Sequence, residues 1–134
     1  ALGKALLAAA GLSVPALQEC LGTLEPHTKN SITDFGTLFN ELERSRARGY
    51  AENREEWRIG VCGLGAPVLN ARGEAVAAVG MSVPSIRFAR TQARGLADHL
   101  MACARDASVT LGYRVGAAPA GPSPMSITKR RRPE

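Results

Sequence analysis

Three helical stretches, then a β-hairpin, then one long helix, in an order that does not alternate strand with helix, predict an α+β fold with an antiparallel sheet. An apolar share of 45% supports a packed core rather than a disordered chain. The β-type runs number only two or three, too few for a sheet that stands alone, so strands from upstream or from another chain are expected to complete it. At 134 residues there is room for one domain.

Residues 2–10 (LGKALLAAA) are strong helix formers that run unbroken to Gly11. Ser13 then caps a short second helix with Pro15 in its first turn, Leu17, Cys20 and Leu21 at helical spacing, and Gly22 as its stop. A polar connector over 23–33 leads to a third helix at 34–48, capped by Ser31 or Thr33. Its apolar face is Phe35, Leu38, Phe39 and Leu42; Glu41, Glu43, Arg44, Arg46 and Arg48 form the opposite face, and Gly49 ends it. Arginines in the last turn suit the negative end of the helix dipole.

A short strand is expected at 50–52. The runs 58–69 (RIGVCGLGAPVL) and 75–83 (AVAAVGMSV), joined by Asn70-Ala71-Arg72-Gly73, read as a hairpin whose turn glycine takes a positive φ. Pro67 inside the first run predicts an edge or a bulge there. The last helix spans about 89–111, with Leu96, Leu100, Cys103 or Ala104, Ala107 and Leu111 as its core stripe and Gly112 as its stop. Residues 116–134, Gly/Ala/Pro/Ser-rich and then basic, are expected to be a disordered tail behind a domain at 1–115.

Composition narrows the function. The net charge of +5 includes +3 from Lys129, Arg130, Arg131, Arg132 and Glu134, which leaves +2 on residues 1–128, no footprint for nucleic acid on the folded part. No run of about 18 apolar residues predicts a membrane-spanning helix, and residues 1–12 lack a charged leader region and carry Lys4, unlike a signal peptide. Three widely spaced cysteines, Cys20, Cys62 and Cys103, fit a reducing cytoplasm. With 22 alanines, 14 glycines and six aromatic residues, the core is expected to bring backbones close together. A start inside a helix, without methionine, reads as a fragment or a processed product.

Catalytic signals are weak. Cys62 lies among Gly60, Gly63 and Gly65, but a nucleophilic thiol needs a base, and His27 and His99 stand in no thiol-enzyme signature. His99 and Cys103 have the i, i+4 spacing of metal ligands without two further ligands in any zinc pattern, so no metal or cofactor is expected. Glu52, Glu55 and Glu56, interleaved with Arg54 and Arg58, read as a solvated loop that ties down the next strand. The glycines of GLGAP precede strand rather than helix and so are no dinucleotide fingerprint. The chain is not expected to be an enzyme. The opening Ala1-Leu2-Gly3-Lys4 is different. A helix starting there leaves backbone N–H groups unpaired at its positive end, a place suited to a carboxylate.

Four stretches in order are similar to one family: ALGKALLA at 1–8, HTKNSITDFGTLFNELERSRARGYA at 27–51, EEWRIGVCGLGAPVLNARGEAVAAVGMSVPSIRF at 55–88, and the closing ASVTLGY. Over residues 1–113 the chain resembles the C-terminal effector-binding domain of IclR-type bacterial transcriptional regulators. The resemblance implies a GAF-like sheet flanked by helices, incomplete here. It implies a winged helix-turn-helix upstream that binds operator DNA, a homodimer or homotetramer, and a small organic or aromatic acid as effector, usually of a catabolic operon. It places the effector carboxylate on the backbone of Ala1, Leu2 and Gly3. Asn53 falls on an acidic position of the family, Gly63 with Val61 on the strand position, and Gly80 and Ser82 on the return strand. Asn53 removes a charge and the two glycines remove side chains, so a ligand bulkier than a two- or three-carbon keto acid is expected. An oligomerisation module with a non-functional pocket, or a thiol or metal enzyme, are the alternatives. The first would bind no acid, and the second would show a reactive Cys62 or bound zinc.

Overall fold

The computed structural model describes residues 1–116, apart from the side chains of Arg90 and Thr91; the expected tail lies almost wholly outside the described residues. Helix α1 (Leu2–Ala10) and helix α2 (Val14–Leu21) are followed by α3 (Phe35–Arg48), strands β1 (Ala51–Arg54), β2 (Val61–Leu69) and β3 (Ala75–Pro84), a 3₁₀ turn at Ser85–Arg87, and α4 (Arg90–Thr110). The sheet is antiparallel in the order β1-β2-β3. It is the α+β arrangement that the segment order predicts.

Glycines stop the first three helices where φ turns positive, 67° at Gly11, 68° at Gly22 and 85° at Gly49, the first and last of these in the left-handed helical conformation. The cap of α3 is neither Ser31 nor Thr33 but Asp34, whose carboxylate accepts a 2.7 Å hydrogen bond from the Thr37 N–H. A residue in the extended conformation immediately before the first turn is the one whose side chain reaches back to the free amides. Ser31 is used elsewhere, accepting from the N–H groups of His27 and Thr28.

The two faces of the sheet differ. On one, Cys62, Leu64, Ala66 and Val68 of β2 pack against Ala93, Ala97, Leu100 and Ala104 of α4, with Phe88 at the end of this core. Small residues let α4 lie close to the strands: Ala93, Ala97, Leu100, Ala104 and Ser108 are buried. Leu100 and Ala104 of the expected stripe thus face this core with Leu96 and Ala107 packed at its margin, whereas Ala93 and Ala97 lie outside the expected set. Cys103 is exposed and Leu111 is 48% exposed. The other face carries α1, behind which α3 and α2 enclose a second core of Ala8, Leu17, Leu38 and Leu42.

Strand β1 starts at Ala51 and runs to Arg54, later than the expected 50–52, and β2 starts at Val61 rather than at residue 58. Pro67 lies past the end of β1, where that flank of β2 has no strand partner among the described residues, and the β2–β3 register shifts at Val68/Leu69. The N–H of Leu69, at that shift, donates to the Ser108 hydroxyl of α4 at 2.9 Å, and the same hydroxyl donates to the Ala104 carbonyl at 2.6 Å. The buried serine closes an account the bulge would leave open.

Candidate functional site

The N-terminal end of α1 lies on a glycine seam in the sheet. A Cβ at Gly65 would come within 2.8 Å of the Ala1 carbonyl group, and one at Gly80 within 2.6 Å of Leu2 Cδ2. Real side chains do not tolerate such distances, so the backbone approach requires glycine at both places. Gly63, whose missing Cβ would be 3.8 Å from that of Ala1, extends the seam.

Beside this contact lies a cavity of about 420 Å³. Ala1, Leu2 and Gly3 form one wall, Val61 and Gly63 of β2 with Gly80 and Ser82 of β3 the facing one, and Asn53 at the end of β1 joins them. All eight residues singled out in the sequence thus border one space. Trp57, Leu64 and Met81 complete it, and no charged side chain is among the lining residues. Gly80 does not widen this space as expected, because Leu2 fills the volume its side chain would take.

The polar groups here are mostly donors. Helix α1 has no side-chain cap, and its first internal bond runs from the Ala5 N–H to the Ala1 carbonyl at 2.9 Å. The N–H groups of Leu2, Gly3 and Lys4 therefore have no intrahelical acceptor, and the positive end of the helix dipole stands behind them. Asn53 spends its Oδ1 on the Glu56 N–H at 2.9 Å, which leaves its amide Nδ2 as a donor. In this chain the Ala1 amino group is half-buried, and desolvation, then the charge of Lys4, push its pKa below the ordinary value while Glu56 opposes them.

The loop between β1 and β2 is fixed by its carboxylates. Glu55, at φ 57°, accepts from the Gly60 N–H at 2.7 Å, and Glu52 pairs with Arg54 at 2.8 Å. Glu56 takes the ammonium of Lys4 at 2.7 Å, and its carbonyl accepts the hydroxyl of Ser31 at 2.6 Å. Trp57 at the tip rests against His27 of the α2–α3 connector, with ring centroids 4.1 Å apart. Trp57 is not among the residues that the sequence singles out; the one available signal is the chain's single tryptophan, set between charged residues in a loop.

Cys62 points to the α4 core, 4% exposed, away from the cavity; burial pushes its thiol pKa up, which keeps it protonated and unreactive at neutral pH. His99 is tied to its own helix, Nδ1 to the Gly95 carbonyl at 2.8 Å. No group of three His, Cys, Asp or Glu side chains suited to a metal occurs among the described residues. No helix among them is long and apolar enough to cross a membrane.

The site thus joins an uncapped helix end, a glycine-lined antiparallel sheet and a cavity bordered by backbone and side-chain donors. The family model described as bacterial transcriptional regulator IclR C-terminal matches residues 1–109, and the chain belongs to this family. It is 33% identical over 114 residues to the HTH-type transcriptional regulator BhcR of Paracoccus denitrificans, covering 84% of this chain and 40% of BhcR. Among solved structures, the repressor BlcR of Agobacterium tumefaciens superimposes with a TM-score of 0.78 at 30% identity, covering 85% of this chain and 46% of BlcR. The C-terminal domain of the Escherichia coli regulator KdgR gives a TM-score of 0.75 at 29% identity, over 84% of this chain and 69% of that one. The chain thus spans less than half the length of BhcR and of BlcR. These relatives are transcriptional regulators, not enzymes.

Proposed function

We propose that this domain senses a small organic acid on behalf of a DNA-binding regulator. One observation carries the reading: the first-turn amides of Leu2 and Gly3, which have no intrahelical acceptors, an Asn53 donor and the Ser82 hydroxyl border a single cavity whose lining contains no carboxylate. An anion there gains charge-assisted hydrogen bonds from groups already fixed in place, with no competing acidic side chain. The cavity of about 420 Å³ exceeds the roughly 150 Å³ that suffices for benzene, which favours an aromatic or medium-chain acid over a two- or three-carbon one.

The regulator would carry a winged helix-turn-helix upstream and work as a homodimer or homotetramer in the cytoplasm. The acid would favour one arrangement of paired domains over another and so change their fit to operator DNA. Such coupling requires a difference in affinity between the two arrangements. The domain itself would occupy residues 1–115, with a basic tail behind it.

The test is a calorimetric titration of the chain with acetate, pyruvate, benzoate, phenylacetate and octanoate, beside the matching primary amides. The reading expects one or more acids to bind, their neutral amides to bind at least about tenfold more weakly, and Ser82→Ala to lower the affinity about tenfold with thermal stability kept. Equal binding of acid and amide, or none by any acid, would overturn it.

A further inference from the structure

A second cavity, of about 240 Å³, adjoins the first and shares Ala1, Gly3, Asn53 and Trp57 with it. Its character is different. Leu24, Ile32 and Leu38, from the α2–α3 connector and α3, give it an apolar wall, and the only basic side-chain ammonium in it, Lys4, is already paired with Glu56 at 2.7 Å and lies 4.0 Å from Glu41. Lys4 is 10% exposed, so this charge is spent on the protein itself and offers little to a second anion. The floor is held by the Ser31 and Thr28 hydroxyls on the Glu56 carbonyl, at 2.6 and 3.3 Å. Trp57, 68% exposed, stands over both spaces.

We infer that the two cavities form one bipartite site for an elongated monocarboxylic acid, its carboxylate on the larger side and its alkyl or aryl tail in the smaller. The inference rests on the acid-sensing reading for the carboxylate and adds where the rest of the ligand goes. Leu2 and Ser82 border only the larger space and Leu24, Ile32 and Leu38 only the smaller, while Ala1, Gly3, Asn53 and Trp57 border both, so a ligand that meets both sets spans these shared residues. A space of about 150 Å³ lined by aliphatic side chains already accepts benzene; the smaller cavity holds a ring or a comparable chain. A dicarboxylate is disfavoured, because its second charge would meet Glu25 and Glu56 with Lys4 already engaged.

The experiment titrates the 134-residue chain with propionate, hexanoate, octanoate, 3-phenylpropionate and the dicarboxylate suberate, followed by the emission of its single tryptophan and by calorimetry. The expected result is an affinity for octanoate at least about tenfold above that for propionate, quenching of Trp57 by the long acids, and at least about tenfold weaker binding of suberate than of octanoate. Leu24→Phe and Ile32→Phe, which narrow the smaller cavity, should remove the gain with length and leave propionate unchanged. Intermolecular nuclear Overhauser contacts in the unmodified protein, from the octanoate terminal methyl to Leu24 and Ile32, give an answer independent of whether the variants fold. Propionate binding as tightly as octanoate, suberate binding as well as octanoate, or tail contacts to Val61 and Met81 instead of Leu24, would overturn the inference and leave the acid-sensing reading standing. No binding by any acid overturns both.

Discussion

Leu2 occupies the volume that a side chain at Gly80 would need: a Cβ built there lies 2.6 Å from Leu2 Cδ2 and 2.8 Å from the Leu64 carbonyl oxygen. At Gly65 the obstruction is backbone, the carbonyl group of Ala1. Gly65→Ala and Gly80→Ala are therefore expected to lower stability by about 1–3 kcal/mol through overpacking. Gly3→Ala, whose Cβ would meet nothing within 4 Å, should be neutral or stabilising by up to about 1 kcal/mol on helix propensity. Urea unfolding of the three variants checks this, and equal losses in all three would refute the seam.

Removal of the Ser108 hydroxyl leaves the Leu69 N–H at the register shift without its acceptor. Ser108→Ala should cost about 1–3 kcal/mol, and amide exchange at Leu69 should accelerate more than at its neighbours in β2. If protection at Leu69 is unchanged, the hydroxyl is not the group that satisfies the bulge.

Backbone amides of the α3 first turn hold the Asp34 carboxyl below the ordinary carboxylate range. A depressed folded-state pKa means stability that is complete above the unfolded value, about 4, and that disappears as the pH falls through the lowered folded value. Melting temperatures measured between pH 2 and pH 6 should thus fall more steeply with acid in the parent than in Asp34→Asn, which keeps an oxygen for the cap but has no proton to take up. Parallel curves would count against the cap as the source.

The three thiols should separate cleanly by accessibility. Cys103 is exposed, Cys20 half-buried and Cys62 buried with a raised pKa. With a disulfide reagent at pH 8, Cys103 is expected to react first and Cys62 only on unfolding, slower by about two orders of magnitude or more. Rapid modification of Cys62 in the folded protein would reopen the thiol-enzyme alternative.

Local signals in the sequence were easy to read where one residue decides the outcome. Gly11, Gly22 and Gly49 each end a helix because each takes a positive φ. The turn at 70–73 follows the same rule, with Gly73 at φ 76°. The stripe of α4 is legible at Leu100 and Ala104 but not at Ala93 and Ala97, because close contact with β2 favours small residues that size alone does not mark as buried. The start of β1 was blurred because a four-residue strand of mostly polar residues has no useful alternation. The eight candidate site residues depended on the family resemblance, apart from the amides of α1, which helix chemistry alone singles out. Trp57 and His27 come together from separate loops, and no local pattern announces such a meeting.

The glycine seam divides this cleft into a hinge-line that sequence drift can scarcely touch and a rim that it can rewrite. A side chain at position 65 or 80 would displace the Ala1 backbone, Leu2 or the Leu64 carbonyl, so on the acid-sensing reading a change of preferred ligand is expected at other lining positions such as Gly3, Asn53, Trp57, Val61 and Ser82. Selectivity can diversify there while the mutual placement of helix and sheet is inherited intact.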